Sequence, residues 1–318
     1  MNYNKDIRVK SSFKGSRGAL LAVLAASLLT CDVGDRGGGT GTQVFPQVSA
    51  TLADRNEWRQ LNPSGTFMTT PRWTPDGRGI VASGYHGIGL YHLAADGGAP
   101  VTVDSSFRGL VTFAGDGCTL CLDPAGESGI LQASIAGGPP LPADPSVGCK
   151  APGENPLRVL FDRGGKKVAW DELYGTLTWQ DGDAGTTIEG AGAWAVAVSP
   201  DGGSVAWCTG NLKMPSLFAF DGAEKIDVGK GAHPSWVPGG NYLLYDRPEA
   251  ADRQAGRGPI VASELFVYDV RARLSARLTD TPGAIEMQPV VSPDGSAVAF
   301  SDWKTGAITI APLKGIGP

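Results

Sequence analysis

Short apolar runs recur along the chain from about residue 66 onward, each just after a turn rich in glycine or aspartate. The six copies are Ile80-Val81-Ala82, Leu120-Cys121-Leu122, Val168-Ala169-Trp170, Val205-Ala206-Trp207, Leu243-Leu244-Tyr245 and Val298-Ala299-Phe300. Runs of this kind, too short for a helix, suit strands covered on both faces. The preceding turns are Pro75-Asp76-Gly77, Pro200-Asp201-Gly202 and Pro293-Asp294-Gly295. Looser copies are Gly115-Asp116-Gly117, Arg163-Gly164-Gly165 and Pro238-Gly239-Gly240. Glycine there supplies the positive φ of a tight hairpin. One strand runs into each turn, as in Thr70-Pro71-Arg72-Trp73-Thr74, and a third follows the return strand, as in Leu217-Phe218-Ala219-Phe220. A second turn and a polar outer strand, such as Ala276-Arg277-Leu278-Thr279, complete the unit.

The turns start near residues 76, 116, 164, 201, 239 and 294, so the gaps are about 40, 48, 37, 38 and 55 residues. This brackets the blade period of propellers. The predicted fold is all-β: a six-bladed β-propeller of four-stranded antiparallel blades over residues 50–318. A closed ring leaves no aggregating edge strand. The sixth unit reaches its third strand at Ile308-Thr309-Ile310 and lacks a fourth. Residues 57–62, Glu57-Trp58-Arg59-Gln60-Leu61-Asn62, resemble the outer strand of the fifth unit and are expected to fill that place. A short capping helix is the alternative.

Composition agrees with this picture. With 46 Gly and 23 Pro in 318 residues, the two poorest helix formers are abundant, and 19% charge is too little for ion-pair-laced helices. The 42% hydrophobic content, with 8 Trp, 10 Phe and 7 Tyr, is enough to build a core. A net charge of -5 gives no basic field for phosphates, so no nucleic-acid partner is expected.

Pro71-Arg72-Trp73-Thr74-Pro75-Asp76-Gly77, followed by an apolar strand and Asp96-Gly97-Gly98, resembles the TolB-type propeller repeat. His233-Pro234-Ser235-Trp236-Val237-Pro238-Gly239 and Gln288-Pro289-Val290-Val291-Ser292-Pro293-Asp294-Gly295 are similar. The resemblance covers roughly residues 57–318. TolB has an additional α/β domain before its propeller; none is expected in the residues ahead of this ring, so its Pal-binding role is not expected to carry over. The same repeat also forms the non-catalytic propeller of some peptidases, and no peptidase domain is expected here.

Residues 1–30 read as an export signal. Lys5, Arg8, Lys10, Lys14 and Arg17 precede an uncharged run from Ala19 to Thr30. Twelve helical residues span about 18 Å, short of a bilayer core of about 30 Å. Leu28-Leu29-Thr30-Cys31 resembles a bacterial lipobox, which implies lipidation of Cys31, although Thr30 departs from the usual small residue. Cleavage after Ser27 is the competing reading. Residues 31–49 form a Gly-rich tether. The expected location is the envelope of a bacterium, exported and lipid-anchored.

The usual catalytic motifs are absent: no Gly-x-Ser-x-Gly elbow, no phosphate-binding loop and no His-Glu-x-x-His occur. No catalytic residue, metal or cofactor is expected. Asp181-Gly182-Asp183 opens like a calcium loop but lacks the later ligands, and reads as a plain turn. Cys118 and Cys121, three apart on a strand, point to opposite faces and make a poor zinc or redox pair. Cys149 and Cys208 fall near one face and are a candidate pair in an oxidising envelope, but the sequence leaves the connectivity of Cys118, Cys121, Cys149 and Cys208 open.

Loops leading into first strands, and loops joining second to third strands, share one face, called here the mouth face. Its two longest are expected at Pro142–Pro156 and Arg247–Ser263. First-strand entrances offer Arg108, Arg158, Trp194, His233, Glu286 and Gln288, and second-strand ends add Asp123, Asp171 and Asp246. A polar mouth of this kind would bind an envelope protein or small ligand. The expected function is therefore a non-catalytic binding or assembly module. The alternative is a channel-mouth enzyme, a lyase or hydrolase acting on a polysaccharide or lactone.

Overall fold

The computed structural model describes residues 50–316 except 53, 115, 117, 125–128, 145, 147–148 and 150–156. The export signal, Cys31, the tether and most of Pro142–Pro156 lie outside the described residues.

Among the described residues, twenty-five strands follow one another. β1 (Thr51–Leu52) and β2 (Arg59–Gln60) come first. Blade one is β3 (Met68–Trp73), β4 (Gly79–Gly84), β5 (Leu90–Ala94) and β6 (Val101–Asp104). Blade two is β7 (Gly109–Phe113), β8 (Thr119–Pro124), β9 (Leu131–Ser134) and β10 (Leu141–Pro142). Blade three is β11 (Leu157–Arg163), β12 (Lys166–Asp171), β13 (Thr176–Asp181) and β14 (Ala184–Glu189). Blade four is β15 (Trp194–Val198), β16 (Val205–Asn211), β17 (Met214–Phe220) and β18 (Lys225–Lys230). Blade five is β19 (Ala232–Trp236), β20 (Tyr242–Asp252), β21 (Arg257–Asp269) and β22 (Leu274–Arg277). Blade six has β23 (Glu286–Val291), β24 (Ala297–Asp302) and β25 (Ala307–Lys314). All pairings within blades are antiparallel, and the architecture is a six-bladed β-propeller.

The sixth blade is completed as the sequence predicts. β2 pairs with β25 through Arg59↔Ile310 and Gln60↔Thr309, and β1 pairs further along β25 through Thr51↔Lys314 and Leu52↔Leu313. A single 3-10 turn at Arg55–Glu57 separates the two. Asn62 seals the joint: its side chain donates to the Gly306 carbonyl and accepts from the Ile308 N–H at 2.9 and 2.7 Å.

The apolar triplets serve two neighbours each. Ile80 and Ala82 pack on Ala299, Ile308 and Ile310 of blade six, while Val81 packs on Leu120 and Leu122 of blade two. Blades four and five repeat this. Val205 and Trp207 join Val168 and Leu177 of blade three, while Ala206 and Cys208 join Leu243 and Tyr245 of blade five. The motif tryptophans tie blades together at the same position. Trp73 Nε1 donates to the Val290 carbonyl and Trp236 Nε1 to the Ala197 carbonyl, at 2.9 and 3.2 Å.

The repeated turns are built identically. The Thr74, Ser199 and Ser292 hydroxyls, all buried, donate to Asp76, Asp201 and Asp294 at 2.6, 2.7 and 2.6 Å. The same hydroxyls accept the N–H of Gly79, Ser204 and Ala297. Gly77, Gly202 and Gly295 take φ of 71, 68 and 75°, a region that favours glycine.

Two expectations are corrected. The disulfide joins Cys121 to Cys149, and Cys208 is a buried free thiol while Cys118 is an exposed one. Leu120 and Leu122 face blade one, so strand alternation turns Cys121 the other way, toward the chain leading to blade three. Among the described residues no buried apolar cluster joins blades two and three, and the bridge pins that connection to β8. Residues 247–263 are not a loop: β20 and β21 continue through Arg247↔Glu264 to Asp252↔Arg257 as a projecting hairpin. Asp181-Gly182-Asp183 is the turn between β13 and β14.

Candidate ligand-binding mouth

Four first strands carry a bulge at the same place. The register shifts fall between Thr69 and Arg72, Trp194 and Ala197, Ala232 and Ser235, and Met287 and Val290. Within them Thr70, Ala195, His233 and Gln288 adopt φ of 50, 48, 48 and 59°. Non-glycine residues in this region cost about 1–3 kcal/mol each and persist only where surrounding contacts hold them. For Thr70 and Gln288 those contacts run from blade to blade, and for His233 to the next strand of its own blade.

Asp246, fully buried within β20 of blade five, is the first anchor. Its Oδ1 accepts from His233 Nδ1 at 2.7 Å and from the bulged N–H of Gln288 at 3.0 Å. Gln288 is the second: its Oε1 accepts the bulged N–H of Thr70 at 2.8 Å, the Ser301 hydroxyl at 3.2 Å and Trp303 Nε1 at 3.3 Å. One acidic and one amide side chain thereby stitch blades five, six and one together. Trp194 sets its ring edge-on to His233, with centroids 5.9 Å apart, and donates from Nε1 to the Gly210 carbonyl. Cys208 lies beside this group. Burial and the nearby Asp246 charge push its thiol up, so it stays protonated and is no nucleophile.

The structure thus brings together Trp194, His233, Asp246 and Gln288. Glu286 is turned away from the channel: it is 2% exposed, and its Oε2 has no hydrogen-bond partner. Burial first, and the nearby Glu264 carboxylate, push it up to about 7, against opposing hydrogen bonds from Thr279 and Thr281. Glu264 itself binds the Thr281 N–H at 2.9 Å and Arg277 at 2.8 Å. Asp171 is spent on a turn, accepting from the N–H groups of Leu173 and Tyr174. Arg108 is exposed and Asp123 half-buried, and neither is among the described residues bonded to His233 or Asp246. Arg158 is on β11, with its side chain outside the described residues.

Sequence reasoning missed the cavity next to Gln288. About 580 Å³ lies between blades six, one and two, walled by Phe67, Val81, Leu90, Val111 and Trp303. Thr70, Arg72, Ser83 and Gln288 supply its polar side, and Tyr85 and His86 its rim. Phe67 meets Tyr85 edge-on at 5.1 Å. The available signal was the X-Pro step: Thr70-Pro71, His233-Pro234 and Gln288-Pro289 place three of the four bulges at one point of the repeat.

The fold and mouth define a six-bladed β-propeller with a ligand-sized cavity at one end. No family model matches the chain, and no curated protein matches it. Many solved structures do match, and they share its fold. The WD40 repeats of RRP9 align over 83% of this chain and 100% of theirs, with TM-score 0.52 and 10% identity. A protein assigned as TolB from Agrobacterium tumefaciens aligns over 78% and 90%, with TM-score 0.47 and 17% identity. A gluconolactonase from Xanthomonas campestris aligns over 85% and 99%, with TM-score 0.47 and 14% identity.

Proposed function

We propose that this protein is a non-catalytic binding or assembly module of the bacterial cell envelope, using the mouth face of its propeller to hold a protein or small ligand. The observation that carries the reading is the aromatic-rimmed cavity, set on strands that Asp246 and Gln288 stitch across three blades. Binding surfaces held by a rigid scaffold are a common use of such rings. Residues 1–30 would direct export, Cys31 would carry the lipid, and residues 31–49 would let the ring reach away from the membrane.

Cross-linking in intact envelope tests the binding role, with wild type compared against Tyr85→Ala and a deletion of residues 250–260. Equal recovery of every partner from all three would sink it. Labelling with a lipid analogue, compared with Cys31→Ala, tests the anchor: incorporation that survives the substitution rejects it.

The His233–Asp246 hydrogen bond supports a second reading, since a carboxylate-held imidazole is a common general base. A channel-mouth lyase or hydrolase would lose its activity on a polysaccharide or lactone with His233→Ala.

A further inference from the structure

We propose that the cavity between blades six, one and two binds an uncharged molecule with an aromatic or alicyclic body and a hydroxyl at one end; this rests on reading the mouth face as the binding face. Its volume of about 580 Å³ is that of a small-molecule site. Phe67, Val81, Leu90, Val111 and Trp303 give it an apolar interior. Phe67, Tyr85 and His86 stand ring beside ring at its entrance, with neighbouring centroids 5.1 and 3.9 Å apart. An apolar ring packs on such walls by offset or edge-to-face contact.

Thr69, Thr70, Ser83 and Tyr85 bring hydroxyls to the cavity and His86 an imidazole, groups that accept as well as donate. Thr69 and Ser83 stand directly opposite each other across β3 and β4. Among the described residues, no hydrogen bond engages the polar side-chain atoms of these five. Gln288, its oxygen occupied by the Thr70 N–H and Trp303 Nε1, keeps its amide N–H₂. Arg72 is already engaged: Nη1 donates to the Val111 carbonyl at 3.1 Å, and the residue has a further interaction besides. Among the described residues no Asp or Glu lines the cavity. A cation would therefore lose its hydration without gaining a carboxylate, and an anion would have to draw Arg72 from the partners it has. A hydroxyl needs neither, because it takes whichever role Thr69 and Ser83 leave open.

The test titrates the intact protein with the uncharged fluorophore N-phenyl-1-naphthylamine, then displaces it with three molecules of one body: 2-naphthylmethanol, 2-methylnaphthalene and 2-naphthoate. One saturable site per chain is expected. The alcohol should displace the probe at about fivefold lower concentration than the hydrocarbon. It should do so at about tenfold lower concentration than the carboxylate. Thr69→Val combined with Ser83→Ala should narrow the gap between alcohol and hydrocarbon while the hydrocarbon still binds. Ser83→Phe, which fills the cavity, should abolish every complex. Tyr85→Ala, on the exposed rim, should weaken them all and serves if Ser83→Phe does not fold. The proposal is overturned by absence of a saturable site, by a carboxylate or hydrocarbon that binds as tightly as the alcohol, or by binding that ignores the cavity variants. If envelope partners still depend on the mouth while the probe finds no site, this site falls and the binding-module reading stands. Probe binding as expected, without any mouth-dependent partner, does the reverse.

Discussion

Glu286→Gln should stabilise the protein above neutral pH. Glu286 is 2% exposed, and burial lifts it from its ordinary 4.5 to about 7. A group raised in the folded state contributes stability that is fully present below its unfolded value and is lost as pH rises through its folded one. The window is therefore pH 4.5 to about 7. At about 1.4 kcal/mol per pH unit, the loss across it approaches about 3 kcal/mol. Glutamine keeps the shape and removes the titration. Urea unfolding at pH 5, 6, 7 and 8 is the assay. The two proteins should differ least at pH 5, and the variant should lead by up to about 3 kcal/mol at pH 8. Parallel stability curves over pH 5–8 would refute the reasoning.

Three further outcomes follow from the geometry. Asp246→Ala removes an acceptor shared by His233 and Gln288 and should cost about 3–5 kcal/mol in urea unfolding, whereas Asp123→Ala should change stability by under about 1 kcal/mol. The Cys121–Cys149 bridge closes a segment of 28 residues, so its removal by Cys149→Ser should cost about 3–4 kcal/mol; peptide mapping that links Cys149 to Cys208 would contradict the assignment. Asp76, Asp201 and Asp294 are held below their ordinary 3.8, first by the hydroxyls of Thr74, Ser199 and Ser292. Their stabilisation is present above pH 3.8 and lost below it, so the triple Asn variant should be weaker at pH 7 and show a shallower acid limb in circular dichroism.

Much of the ring was legible because its rules are local. Asp-Gly turns mark hairpins, and an apolar triplet such as Val205-Ala206-Trp207 can be buried only between two neighbours. The closure by Arg59 and Gln60 was legible from a missing outer strand. The site was only half legible. His233, Asp246 and Gln288 stand at repeat positions, so their meeting follows from alignment of the blades. The direction of Glu286 does not: it depends on a bulge that changes which face a side chain takes, with Thr279 and Thr281 covering it. The cavity eluded sequence reasoning because it belongs to three blades at once, with Trp303 and Tyr85 coming from connections that the repeat does not constrain. The disulfide was left open because its pairing depends on which face each cysteine takes: Cys208 is buried in the seam with blade five, and Cys121 pairs with Cys149.

The central claim is that the mouth face is the working surface. The direct measurement is quantitative cross-linking of the protein in intact envelope, comparing wild type, mouth variants Tyr85→Ala and His233→Ala, and Arg78→Ala on the opposite face. The account predicts at least one partner or ligand adduct that both mouth variants diminish and Arg78→Ala leaves unchanged. Adducts lost only with Arg78→Ala, or insensitive to all three, would contradict it.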